Sequence, residues 1–124
     1  MTVVALNRDA RQAQVQQWAV NAFGELATTV PERGRRFLEE ALELFQSVEG
    51  SDAAMAHTLV DYVFGRPVGE PFQEVGGVMV TLMSLAECIG VSVEVAEKTE
   101  THRVLSTDVA HFQRRQAEKR AAGL

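Results

Sequence analysis

The stretch 37-FLEEALELF-45 sets Glu39, Glu40 and Glu43 inside a run of Phe and Leu. On a helix Glu40 and Glu43 share one face a turn apart, and Glu39 reaches a neighbouring spot. Like charges this close repel, more strongly at a partly buried seam. A divalent cation removes the conflict: Mg²⁺ takes about six oxygen ligands and usually keeps several waters. Glu74, in 73-QEVGGVMVTL-82, opens a second apolar run. Carboxylates projecting inward from paired helices are an established way to build a metal site in a bundle. The bland alternative is an ordinary amphipathic helix, since Glu favours helices and alternates freely with Leu. In that case Arg35 and Arg36 pair with Glu39 and Glu40 at i,i+4. Gly76 and Gly77 follow Glu74, and each costs about 1 kcal/mol relative to Ala inside a helix. They let a backbone or ligand approach Glu74, or they serve plain helix packing.

The elements that must position these acids are helical by their period. Val15, Trp18, Ala19 and Ala22 mark a first helix over 8–23, with Asn7 as its cap and Gly24 as its stop. Pro31 opens a second, over about 32–48, whose stripe is Phe37, Leu38, Ala41, Leu42, Phe45 and Val48. Ser51 is expected to cap a shorter third helix, with Ala56, Leu59, Val60 and Val63 inward. The turn 65-GRPVGEP-71 leads to a fourth, over about 72–89, closed by Gly90. Ser92 starts a last helix, which runs into the apolar-poor tail 113-QRRQAEKRAAGL-124. The one rival strand signal is 91-VSVEV-95. These patterns predict an all-α bundle of four main helices and one short helix, its stripes buried against one another, in a single domain over 1–124. Fraying is expected over the first six and last ten residues or so.

Composition narrows the function classes. Apolar residues make up 46% and charged residues 23% of 124, and the net charge is −5. An acidic chain is a poor match for duplex nucleic acid, so none is expected as a partner. No stretch holds the ~20 apolar residues of a membrane span, and MTVVALNRDAR does not read as a secretory signal. A cytoplasmic setting is expected. Cys88 is the sole cysteine, so neither an intrachain disulfide nor a cysteine zinc site is available. Its apolar surroundings predict a buried thiol.

The order Glu-Glu-x-x-Glu, a spacer, then a Glu heading an apolar helix resembles the MazG-like all-α nucleoside triphosphate pyrophosphohydrolases. The residues carrying the likeness are 39-EEALE-43 and 74-EVGG-77, with 36-RFLEEALEL-44 and 78-VMVTLMSLAECIGV-91 resembling the two metal-bearing helices. The likeness covers roughly residues 11–105. It implies Mg²⁺-dependent hydrolysis of a (deoxy)nucleoside triphosphate to monophosphate and pyrophosphate, with Mn²⁺ as substitute, by a homodimer or higher homo-oligomer. It further implies Glu40, Glu43 and Glu74 as metal ligands, and Glu39 as the residue that activates water or assists a second metal. Where the family has a fourth, Asp ligand, this chain has Gly77. A chain that kept the bundle and lost catalysis at Gly77 would be a nucleotide- or protein-binding module instead.

Beyond the acids, the resemblance makes Lys98 and Arg103 of the last helix, with His102 nearby, the phosphate contacts. The plain alternative is a Glu94–Lys98 surface pair. Trp18 can stack on a nucleobase or sit in the core. Arg33, Arg35 and Arg36 occupy a helix start, where the dipole disfavours cations, and pairing with Glu32 and Glu39 answers that. His57 and His111 have no partner at ligand spacing, and nothing in the sequence assigns a target to Arg66. The apolar fourth helix, rich in Met and Leu, is a seam for a partner copy.

Overall fold

The computed structural model describes residues 3–124, and all of its regular structure is helical. The helices are α1 (Arg8–Phe23), α2 (Val30–Ser47), α3 (Ala53–Phe64), α4 (Pro71–Cys88), α5 (Val93–Ser106) and α6 (Val109–Ala121), with a 3-10 turn over Gly24–Thr28. Local signals account for most of the ends. The Asn7 side chain accepts from the Ala10 amide, and Gly24 leaves α1 at φ 66°, a conformation that favours glycine. Pro71 stands at the start of α4, where its missing N–H costs nothing.

Two expectations change. The cap of α3 is Asp52, whose carboxylate accepts from the Ala54 amide at 2.7 Å, while Ser51 donates to the Gln46 carbonyl at 3.0 Å. The last helix is two helices: α5 ends at Ser106, and Asp108 caps α6 by accepting from the Ala110 amide at 3.0 Å. Residues 91–95 form no strand; α5 starts at Val93. The fraying expected of the first six residues falls in part on residues 1 and 2, outside the described residues.

The chain divides into two compact units, one of Met1–Arg35 with Glu94–Leu124, the other of Arg36–Val93. In the first, α1 packs against the 3-10 turn and against α6. Its apolar centre is made of small residues, Ala19, Ala22 and Ala27. Trp18 meets the Phe23 and Phe112 rings edge-on, at 5.7 and 4.9 Å between centroids, a preferred aromatic geometry. Around this centre lie buried polar groups that find partners. Arg11 donates to the Ala5 and Leu6 carbonyls and pairs with Glu97 at 2.8 Å, which Arg8 also contacts at 3.3 Å. Gln116 donates to Glu32 at 2.7 Å, and Arg33 adds a contact to Glu32 at 3.4 Å. The Gln14 side chain links Val3 and Ala5 to α1.

The second unit holds α3, α4 and the rest of α2. Of its described residues only Ala86 is buried. The stripes that the sequence pattern turns inward are only partly covered: Phe45, Val48, Ala56, Met79, Leu82 and Leu85 are half-buried, while Phe37, Leu38 and Leu42 on α2, Leu59, Val60 and Val63 on α3, and Val75, Val78 and Ile89 at α4 are exposed. Cys88 is exposed as well. The expectation of a buried thiol fails because the apolar run around it is not covered within the chain.

Candidate functional site

The three acids of α2 lie in the Arg36–Val93 unit, and each is positioned differently. Glu39 is half-buried and accepts from Arg36 Nη1 at 2.9 Å. Glu39 thus pairs at i,i+3 with Arg36, where the i,i+4 spacing predicts Arg35 as its partner. Glu40 and Glu43 are exposed. The Glu43 carboxylate has no hydrogen bond or ion pair among the described residues. Glu39 and Glu43, one helical turn apart, border a cleft of about 480 Å³ between α2 and α3. Leu42, Phe45 and Val60 line its apolar wall, and Asp52 and His57 add polar groups at α3.

Neither Asp52 nor His57 stands out in the sequence for such a role. A signal exists nonetheless: Ala53, Ala56, His57 and Val60 follow the helical period, so His57 lies on the face that meets α2. What the sequence does not supply is the α2–α3 turn that sets this face against Glu39 and Glu43.

Glu74 sits in the first turn of α4, where a carboxylate suits the positive end of the helix dipole. Glu70 caps that helix by accepting from the Gln73 amide at 3.2 Å. The Glu74 carboxylate folds against Gly69, where any Cβ would collide with it. Just beyond it, Gly76 and Gly77 are in open space, and an added Cβ at either meets nothing within 4 Å.

The chemistry of the donor set suits a hard cation, because every proposed ligand is a carboxylate oxygen. The number gathered in one chain does not. Among the described residues no three His, Cys, Asp or Glu side chains come together in a way that could hold a metal ion. Glu40, Glu43 and Glu74 are therefore not joined within the single chain.

Lys98, Arg103 and Trp18 belong to the other unit. Lys98 pairs with Glu94 at 3.2 Å, and Arg103 Nε donates to Glu100 at 2.9 Å. The Arg103 bond holds the Glu100 carboxyl below its ordinary range, desolvation opposes that, and the Arg103 charge adds to the lowering. Trp18 is engaged by the Phe23 and Phe112 rings. Arg66 lies over the Tyr62 ring, 5.0 Å from its centroid, a cation–π contact.

No family model matches the chain, and comparison with curated proteins and with solved structures finds no match. Among the described residues, no single helix is long and apolar enough to cross a membrane.

Proposed function

We propose that this chain is a subunit of a Mg²⁺-dependent nucleoside triphosphate pyrophosphohydrolase of the MazG-like kind, acting on the cytoplasmic nucleotide pool. One observation supports it most: Glu43, without a partner among the described residues, stands one turn from Glu39 at the border of a cleft with an apolar wall. Glu40, Glu43 and Glu74 are the metal ligands in this reading. Mg²⁺ held by these carboxylates, or Mn²⁺ in its place, would offset the charge of the triphosphate and would help orient a water for in-line attack. Glu39 takes the proton of that water, and Arg36 holds the Glu39 carboxylate in place. The water oxygen bonds to the α-phosphorus, the α–β bridging bond breaks, and pyrophosphate leaves with the bridging oxygen. Lys98, Arg103 and Trp18, which the family resemblance offers for phosphate and base, belong to the other unit and are left out of this reading.

A second reading rests on Gly77, which offers no side-chain oxygen where the family has an Asp. Here the chain is a helical module that binds a nucleotide or a protein without turnover. The two separate in one assay. Incubation with a panel of deoxynucleoside triphosphates and Mg²⁺ or Mn²⁺ releases monophosphate and pyrophosphate if the first holds. Glu43→Gln then lowers that release by about 10³-fold, the size of effect expected from losing several kcal/mol of charge stabilisation. Full activity in Glu43→Gln would overturn the site assignment. Binding without turnover, with turnover gained in Gly77→Asp, would establish the second reading.

A further inference from the structure

We infer that the cleft between α2 and α3 is a docking groove for a basic amphipathic helix of another protein, whose apolar side chains enter the cleft while its lysines and arginines meet Glu39, Glu43 and Asp52. That docking requires neither a metal ion nor turnover, and in the second reading above it names the class of protein bound.

Charge selects the partner. Between Arg36 and Val93 the chain carries nine of its 17 acids and only two of its 12 cations. This unit therefore has a formal charge of −7, while the rest of the chain has +2. Both local cations are engaged: Arg36 bonds to Glu39 at 2.9 Å, and Arg66 lies over the Tyr62 ring. A field of one sign attracts a partner of the other and repels its own. It disfavours anionic lipid and nucleic-acid phosphate alike, so neither accounts for the apolar wall of the cleft.

Geometry selects a helix over a small cation. Every residue lining the cleft belongs to the Arg36–Val93 unit. Leu42, Phe45, Ala56 and Val60 form its wall, and Leu42 and Val60 remain 45% and 47% exposed. Glu39 and Glu43 are one turn apart on α2, about 6 Å along the axis. Basic residues at i and i+4 of a partner helix lying along the groove have the same spacing. Asp52 stands on the α3 side, where one of its oxygens accepts from the Ala54 amide; a carboxylate has about four acceptor sites, so capacity remains. No three His, Cys, Asp or Glu side chains among the described residues converge as one metal ion requires. Acids set along a rim instead suit cations set along a helix. Amphipathic helices enter such grooves through apolar anchors at i, i+3 or i+4, and i+7.

The test measures fluorescence anisotropy of labelled synthetic peptides added to the full-length protein in a chelating buffer. The peptides carry leucine anchors at those spacings and lysine or arginine on the flanks, with the anchor spacing varied across the set. At least one is expected to bind, and to bind more weakly as salt rises. Glu43→Lys and Val60→Lys are each expected to raise its dissociation constant about tenfold. Glu87→Lys makes the same charge change as Glu43→Lys on exposed α4, outside the cleft, and is expected to shift the constant by less than about twofold. Circular dichroism checks that each variant folds, and Glu43→Gln, expected to weaken binding less than Glu43→Lys, serves should either lysine variant misfold. No binding by any peptide would overturn the inference. So would equal loss in Glu43→Lys and Glu87→Lys, or equal binding of a scrambled peptide of the same charge, since both mean attraction without a groove. Self-association abolished by Val60→Lys, with no peptide bound, would assign the cleft to a second copy instead. Because the chelator removes divalent ions, each of these failures leaves the metal reading to the nucleotide assay.

Discussion

In the unit built around α1, Ala19, Ala22 and Ala27 are buried, and the charged and polar side chains Arg11, Glu32, Thr101 and Gln116 are buried beside them. In the Arg36–Val93 unit, Ala86 alone among the described residues is buried, while Phe, Leu, Val and Met side chains stand open along all three helices. The first unit thus encloses polar groups and satisfies most of them, although Arg11 Nε, Trp18 Nε1 and Arg33 Nε are buried without a hydrogen-bond partner among the described residues. The second leaves its most apolar surface without cover. Arg11 and Glu32 can be enclosed because hydrogen bonds and opposite charges meet them at 2.7–2.8 Å, as buried polar groups require. Apolar stripes need only an opposing surface, and the second unit does not provide one for itself. Net polarity is therefore a poor guide to which part of this molecule is finished.

That contrast can be broken from either side. The largest stability effect is expected in the first unit. Arg11→Ala removes the nearer of the two arginine partners of Glu97 and two contacts to backbone carbonyls, and should cost about 3 kcal/mol in denaturant unfolding, the low end for breaking a buried pair. Gln116→Ala leaves the buried Glu32 carboxylate short of a donor, and about 2 kcal/mol of destabilisation is expected by the same measurement. If both substitutions leave the midpoint unchanged, the polar enclosure does not hold this unit together.

In the second unit the expected signs differ. Gly77→Ala meets no atom within 4 Å and should raise helix stability by about 1 kcal/mol where the chain is alone. Where copies of the chain associate through this face, the added methyl should weaken that association, read as a higher dissociation constant on dilution. Val63→Lys, on an exposed position of α3, should leave the helix content unchanged and shift the same constant upward. A dissociation constant indifferent to both would show that this face has no partner copy.

The smallest effect concerns the surface pair Arg103–Glu100. Arg103 lowers the Glu100 pKa, so the stabilisation is present above the ordinary carboxylate range and is lost as pH falls through the lowered native value. Both side chains are more than half exposed, so Glu100→Gln should change stability near neutral pH by less than about 0.5 kcal/mol. Its effect should vanish in acid, as a pH series of unfolding midpoints will read.

Much of the helical layout is legible in the residues themselves. Asn7 and Gly24 bound α1 at the positions expected, because a cap is a contact between near neighbours. The break between α5 and α6 escapes the pattern although Asp108 carries a capping signal; the low apolar content of the tail hides a helix whose Phe112 meets Trp18. At the candidate site, helical spacing predicts Arg35 with Glu39 and Arg36 with Glu40, and the structure pairs Arg36 with Glu39. The positions of Asp52 and His57 beside Glu39 and Glu43 do not follow from spacing, since they depend on how the α2–α3 turn directs the chain.

By itself the sequence determined the all-α character, most helix ends, and the phase of each apolar stripe, because period, caps and breakers act within a few residues. Only the tertiary structure decided which stripes are covered. Trp18 meets Phe112 from a distant segment and Ala22 is enclosed, whereas Phe37, Val63 and Val75 stay open. A stripe is written in the same residues whether its own chain covers it or not. Burial depends on which surfaces meet, and that is a property of the packed chain rather than of any one helix.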